Sequence, residues 1–176
     1  PYSVSKLSAH LSVQLFRQHF NLHASNGILF NHESEHRGVE FVTKKITQTA
    51  AKIKLGLETE LRLGNLDAKQ DWGYAPDYVY GMWLMLQQDQ ADDYILATGT
   101  LHSVRDICEI AFNYVGLNYQ DYVKQDDQFY RPTPAKSLYG DPTKAEKKLK
   151  WHRSITFEEM IEKMVEFDLN TTNKKQ

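Results

Sequence analysis

What most constrains the fold of this 176-residue chain is an alternation: segments of helical periodicity take turns with short, continuous apolar runs. Val4, Leu7, Leu11 and Leu15 recur at helical spacing through about Phe20. His23 to Phe30 then ends in Ile28-Leu29-Phe30, the pattern of a strand covered on both faces. Phe41 to Leu55 is again helical and stops at Gly56, where a left-handed residue is wanted. Glu60 to Leu63 and Tyr94 to Ala97 read as short strands, and Pro76 to Gln88, carrying Val79, Trp83 and Leu86, reads as the helix between them. Ser103 with Asp106 opens a helix to about Tyr114, Asp141-Pro142 opens a short one, and Thr156 with Glu159 forms a capping box for a last helix to Leu169. The tail from Asn170 is polar and is expected to fray. Helices alternating with short strands predict an α/β architecture. Ligands in such folds gather at the carboxyl ends of strands, which singles out the polar stretch Asn31 to Gly38 and the pair Gly64-Asn65.

Composition narrows the function classes. The chain is 41% hydrophobic with 10 Tyr, 8 Phe and 3 Trp, enough for one globular core. A formal charge of −2 gives no electrostatic reason to expect nucleic acid or an anionic membrane as partner. No apolar run approaches the roughly 20 residues that span a bilayer, and the first residues form no signal-peptide core. The lone Cys108 lies among Ile107, Ile110 and Ala111 and reads as core packing in a reducing, cytoplasmic setting. The Lys-rich stretch Lys144 to Arg153 reads as a solvated helix face.

Three motif-level observations bear on chemistry. Tyr2 and Lys6 stand four apart where a helix begins, so the phenol and the ammonium share a face, and a nearby cation favours a phenolate able to exchange a proton with a hydroxyl. About one such spacing is expected by chance in this composition, so the pair needs its context. No G-x-G-x-x-G phosphate loop occurs in the sequence. His32-Glu33-Ser34-Glu35-His36 satisfies H-E-x-x-H, which on a helix would read as a zinc hydrolase, although here it follows a strand-like run.

Tyr2 through Lys6, Ser25 through Ser34 (Ser-Asn-Gly-Ile-Leu-Phe-Asn-His-Glu-Ser), Arg37-Gly38 and Phe41 through Thr47 together resemble the GDP-mannose 4,6-dehydratases, extended short-chain dehydrogenase/reductases. The resemblance continues in order through Leu63 to Lys69, Asp71 to Ala75, Asp77 to Val79, Met85 to Gln88, Ala97 to Gly99, His102 to Arg105 and Gly140 to Ala145. It covers nearly the whole chain but only the C-terminal half of the family. It implies the C-terminal part of a Rossmann-type fold with its substrate-binding subdomain. Residues 1–60 would end the Rossmann-type domain, 61–169 would be mainly the sugar-nucleotide subdomain with returning Rossmann elements, and 170–176 would be a frayed tail.

The activity implied is conversion of GDP-mannose to GDP-4-keto-6-deoxymannose by NADP-mediated oxidation, water elimination and re-reduction. Tyr2 and Lys6 match the catalytic pair, which also touches the cofactor. His32 and Arg37 match positions that contact NADP, and Asn31, Val42, Lys45, Gly64 and Arg131 match positions that hold the GDP-sugar. A guanidinium such as that of Arg131 suits phosphate by its bidentate fork. Homodimers or homotetramers are implied, with neither nucleic acid nor membrane as partner. Two positions depart from the pattern: Gln70 stands where the family carries Arg, and Pro134 where it carries Glu. Loss of one charge-assisted bond, about 1.5–3 kcal/mol, puts on the order of tenfold of nucleotide affinity in question. The Thr and Glu that complete the family's site upstream of the Tyr are not in this sequence, so the isolated chain is expected to be inactive. The alternative is a non-catalytic, truncated sugar-nucleotide-binding fragment.

Overall fold

The computed structural model describes residues 1–129 and 137–174. In chain order the elements are α1 (Tyr2–Phe20), β1 (Gly27–Leu29), β2 (Asn31–Glu33), α2 (Val42–Lys54), β3 (Leu61–Leu63), β4 (Lys69–Gln70), β5 (Trp72–Tyr74) and α3 (Ala75–Leu86). There follow β6 (Tyr94–Leu96), β7 (His102–Ser103), α4 (Val104–Tyr114), α5 (Tyr119–Tyr122), β8 (Val123–Gln125), a 3-10 turn (Asp127–Phe129), α6 (Thr143–Leu149) and α7 (Phe157–Asn173).

The strands pair in twos. β1 lies parallel to β6, β2 to β5 and β3 to β8, whereas β4 runs antiparallel to β7. Parallel partners need long crossovers, and helices supply them here, which is the α/β arrangement the sequence predicts. Local chemistry sets the helix ends. Ser103 with Asp106 and Thr156 with Glu159 form reciprocal capping boxes on α4 and α7. At the end of α2, Gly56 takes φ +72°, and the amides of Gly56 and Leu57 bond back to the carbonyls of Ile53 and Lys52, closing the last turn.

Two apolar clusters hold the fold. The larger joins α2, α4 and α7 with β3 through Ile46, Ala50, Leu61, Leu63, Ile107, Phe112, Ile161 and Val165. Cys108 is fully buried in it, its thiol pushed up to about 12 by burial, so it packs rather than reacts. The smaller cluster sets Tyr78 and Met85 of α3 against Tyr94, Leu96, Ala145, Leu149 and Trp151.

Several expectations need correction. The stretch from Asn31 is not all loop, because β2 pairs with β5 and sets His32 opposite Gly73. The Lys-rich segment is not one solvated face: α6 ends at Leu149, Lys150 turns left-handed, and Trp151 is 2% exposed, its indole N–H donating to the Asp77 carbonyl at 2.7 Å. Helix α7 runs to Asn173 rather than fraying after Leu169, with the Thr171 hydroxyl donating to the Phe167 carbonyl at 2.8 Å. The expected stripe of α3 faces outward: Val79, Trp83 and Leu86 are exposed, while Tyr78, Gly81 and Met85 face the core. On α1 no residue is buried, and Val4, Leu7, Leu11 and Leu15 all face out.

Candidate active site

Tyr2 and Lys6 occupy the first turns of α1, with Lys6 Nζ 5.5 Å from the centroid of the Tyr2 ring. The i, i+4 spacing thus does place phenol and ammonium on one face. Tyr2 is 74% exposed, and no hydrogen bond, ion pair or ring contact joins either side chain to another element among the described residues. The other end of α1 is tied down. Asp93 accepts from Gln14 Nε2 at 2.9 Å, Arg17 Nη2 at 2.8 Å and Asn26 Nδ2 at 3.0 Å. Burial alone would raise the Asp93 carboxyl, but these donors outweigh it and hold it down at about 2.

His32 and Arg37 sit on β2 and the turn that follows it. His32 Nδ1 lies 2.8 Å from the Phe30 carbonyl, and since a carbonyl only accepts, Nδ1 carries the proton. Nε2 then has no partner among the described residues. The His32 ring packs on Tyr78 with centroids 5.1 Å apart. Arg37 Nε lies 3.0 Å from Glu33 Oε2, without the alignment of a hydrogen bond, and the guanidinium carbon stands 3.4 Å over the Phe41 ring. Glu33 is 2% exposed and accepts from the Thr43 hydroxyl at 2.6 Å. Desolvation raises its pKa, with Thr43 and Arg37 pulling the other way.

This arrangement overturns the zinc hydrolase reading. His32 is on a strand, His36 lies in the following turn with its ring edge-on to Phe167, and Glu33 is buried against Arg37 and Thr43. H-E-x-x-H works when one helical turn carries both imidazoles to one metal, and no helix carries them here.

The candidate sugar-nucleotide residues fall into two groups. Asn31 Nδ2 donates to Gln70 Oε1 at 3.3 Å, so the side chain at position 70 serves Asn31 as an amide partner. Val42 opens α2. Lys45, on the same helix, donates to the Arg62 carbonyl at 2.7 Å and stands 3.9 Å over the Phe129 ring, with its pKa lowered by desolvation. The Gly64 carbonyl accepts from Gln125 Nε2 at 3.4 Å beside the β3–β8 pair. Arg131 and Pro134 lie outside the described residues. A groove of ≈ 720 Å³ lies between the turn after β2, the start of α3 and Phe167, and among the described residues none of the NADP or sugar-nucleotide candidates lines it.

Sequence reasoning passed over two features of this region. One is the Glu33–Arg37–Phe41 contact, hidden because the i, i+4 pair is formed by a strand and a turn instead of a helix. The other is Asp71, fully buried, which accepts from Thr98 N at 2.8 Å, Thr98 Oγ1 at 2.7 Å, Gly99 N at 3.0 Å and Gly140 N at 3.2 Å. It joins the amino end of β5 to the loop after the carboxyl end of β6 and to the approach of α6. A buried Asp in Asp-Trp-Gly carries no pattern that announces this.

Folds of this kind are found in other solved structures. RMD from Pseudomonas aeruginosa complexed with NADPH superposes with a TM-score of 0.87 at 20% identity, over 97% of this chain and 56% of that one. A dTDP-glucose 4,6-dehydratase from Bacillus anthracis in complex with NAD gives 0.78 at 17% identity, over 99% and 53%. The class the fold defines is therefore the α/β architecture of those chains, of which this chain spans about half. The family model for GDP-mannose 4,6 dehydratase matches residues 1–164, and the chain belongs to that family. It is 47% identical over its whole length to GDP-mannose 4,6 dehydratase 1 of Arabidopsis thaliana, covering 49% of that protein. It is 45% identical to GDP-mannose 4,6 dehydratase of Homo sapiens, with 96% of this chain and 50% of the relative aligned. The chain spans about half the length of the curated relatives it matches. Among the described residues, no helix is long and apolar enough to cross a membrane.

Proposed function

We propose that this chain forms the catalytic-pair and sugar-nucleotide side of a GDP-mannose 4,6-dehydratase that works with NADP and yields GDP-4-keto-6-deoxymannose. The observation that carries the reading is the Tyr2–Lys6 pair on one face of α1 in a chain of this family. Tyr2 Oη takes the proton from the sugar's O4, and the Lys6 ammonium on the same face would hold the nicotinamide ribose. NADP, when bound, supplies the hydride acceptor and donor. The residues present suit it: Arg37 keeps its two Nη groups, His32 its Nε2 and Lys6 its ammonium free of hydrogen bonds and ion pairs to described residues. Asn31, Val42, Lys45, Gly64 and Arg131 hold the GDP-sugar, with Lys45 and Arg131 as the cations toward its diphosphate. In this reading residues 1–60 end the Rossmann-type domain and 61–169 are mainly the sugar-nucleotide subdomain with returning Rossmann elements, with α2 of the first packed on α4 and α7 of the second in the larger apolar cluster. We place the enzyme in the cytoplasm as a homodimer or homotetramer.

The unburied stripe of α1 favours a second reading for the isolated chain, a sugar-nucleotide-binding fragment without turnover. Calorimetric titration with GDP-mannose and NADPH separately, together with a product assay, tests both. The 176-residue chain is expected to bind GDP-mannose and to form no 4-keto-6-deoxy product. Product formed by this chain alone overturns the fragment reading, and absence of GDP-mannose binding overturns the sugar-nucleotide assignment.

A further inference from the structure

We infer that Glu33 and Phe41 are positioning residues for Arg37, clamping its guanidinium so that both Nη groups are presented to an anionic or carbonyl oxygen of a bound dinucleotide. The inference rests on the cofactor reading of Arg37 and adds the two residues through which it acts.

The clamp is built from both sides. Glu33 points inward from β2 and is 2% exposed, so its carboxylate needs compensation, which the Thr43 hydroxyl supplies at 2.6 Å and Arg37 Nε at 3.0 Å. From the other side the Phe41 ring lies under the guanidinium carbon at 3.4 Å, a stacking distance that fixes the plane of the fork. A tight turn makes this possible: the Arg37 amide donates to the Ser34 carbonyl at 3.0 Å, and the Phe41 amide to the Gly38 carbonyl at 3.2 Å, folding the side chain back over β2. The turn is pinned in its turn by Lys44 Nζ, which donates to the Glu35 carbonyl at 2.8 Å and pairs with the buried Asp168. Nε faces the carboxylate and the ring covers one face. No described acceptor takes a hydrogen bond from Nη1 or Nη2, which leaves them as the only outward polar edge of Arg37.

Glu33 acts on affinity in two opposed ways. Its charge opposes an incoming anion, whereas its contact with Nε holds the fork in place. Glu33→Gln removes the charge and leaves Nε only a neutral amide oxygen, a weaker hold on the fork, and Glu33→Asp keeps the charge but withdraws it from Nε by one methylene. If positioning governs, both substitutions weaken binding.

The test is NADPH titration, followed by its fluorescence, on the 176-residue chain as wild type, R37A, E33Q, E33D, F41L and E33Q/R37A, with thermal unfolding to establish that each is folded. R37A, E33Q and E33D are each expected to weaken NADPH on the order of tenfold, F41L about threefold, and E33Q to add nothing in the R37A background. An E33Q that tightens or leaves binding unchanged, or losses that add in the double variant, overturns the positioning role while the R37A loss keeps the cofactor reading intact. If E33Q does not fold, E33D and F41L at wild-type affinity overturn it equally. R37A binding as wild type does, or a wild-type chain that binds no NADPH, overturns the cofactor reading and the inference together.

Discussion

Asp71→Asn isolates the effect of one carboxylate oxygen. The side chain keeps its shape, and the amide oxygen can still serve the Thr98 amide and hydroxyl, now 2.8 and 2.7 Å from Oδ1. The other oxygen becomes an NH2 directed at the amide N–H groups of Gly99 and Gly140, now 3.0 and 3.2 Å from Oδ2. Two donors then face a donor in a site with no solvent access. Each charge-assisted bond lost is about 1.5–3 kcal/mol, so the pair gives about 3–5 kcal/mol once shared relaxation is allowed for. Rotating the amide only moves the mismatch to Thr98. In a domain of this size that corresponds to a fall of about 6–20 °C in Tm. Urea denaturation at neutral pH measures the loss, and hydrogen exchange at the Gly99 and Gly140 amides should quicken beyond the global change. A loss under about 1 kcal/mol, or a loss with unchanged relative protection at those amides, refutes the view that Asp71 fastens the three segments.

Other expectations follow from the same accounting of buried polar groups. Asp93 is held down at about 2 against an ordinary 3.8, so its contribution is present above pH 4 and is lost as pH falls through 2. That amounts to about 2 kcal/mol, and the difference in urea-unfolding free energy between wild type and D93N should shrink between pH 6 and pH 2 by that amount. Asp168→Asn leaves the buried Lys44 ammonium with the Glu35 carbonyl and a neutral amide oxygen but no counter-charge and should cost about 3–5 kcal/mol, whereas Lys44→Met leaves an Asp168 whose pKa burial already raises, so it can protonate, and should cost about half as much by thermal unfolding. Gly140→Ala should destabilise by about 2 kcal/mol or more, because a Cβ there would overlap Ala97 and the Phe30 ring. Tyr2→Phe, at an exposed position, should leave Tm within about 1 °C while abolishing proton transfer in any assembly that turns over GDP-mannose.

Much of the secondary structure was legible because its causes are local. The capping boxes at Ser103 and Thr156 and the left-handed Gly56 each satisfy backbone groups within a few residues, so the sequence that produces them is contiguous. The strand over Asn31–Glu33 was not legible, since three polar residues become a strand only when Trp72–Tyr74 offers its backbone alongside. The candidate site divides the same way. Tyr2 and Lys6 share a face because helix geometry alone requires it. That Gln70 would take the Asn31 amide, or that Lys45 would reach over Phe129, depends on segments brought together from far along the chain.

The sequence by itself determined that this chain alternates helices and strands, where most helices start and stop, and which family its motifs match, because period, caps and contiguous motifs are properties of neighbouring residues. Tertiary structure alone decided which face of each helix is covered. The apolar stripes of α1 and α3 are equally good stripes to a sequence reader, yet Val4, Leu7, Leu11 and Leu15 and likewise Val79, Trp83 and Leu86 stand exposed while Tyr78 and Met85 are buried. Hydrophobic periodicity records that a face needs a partner without recording which partner, and only packing assigns one. The same holds for charge: Glu33 and Arg37 are merely four apart in the sequence, and only the turn that returns Arg37 over β2 makes the pair a clamp.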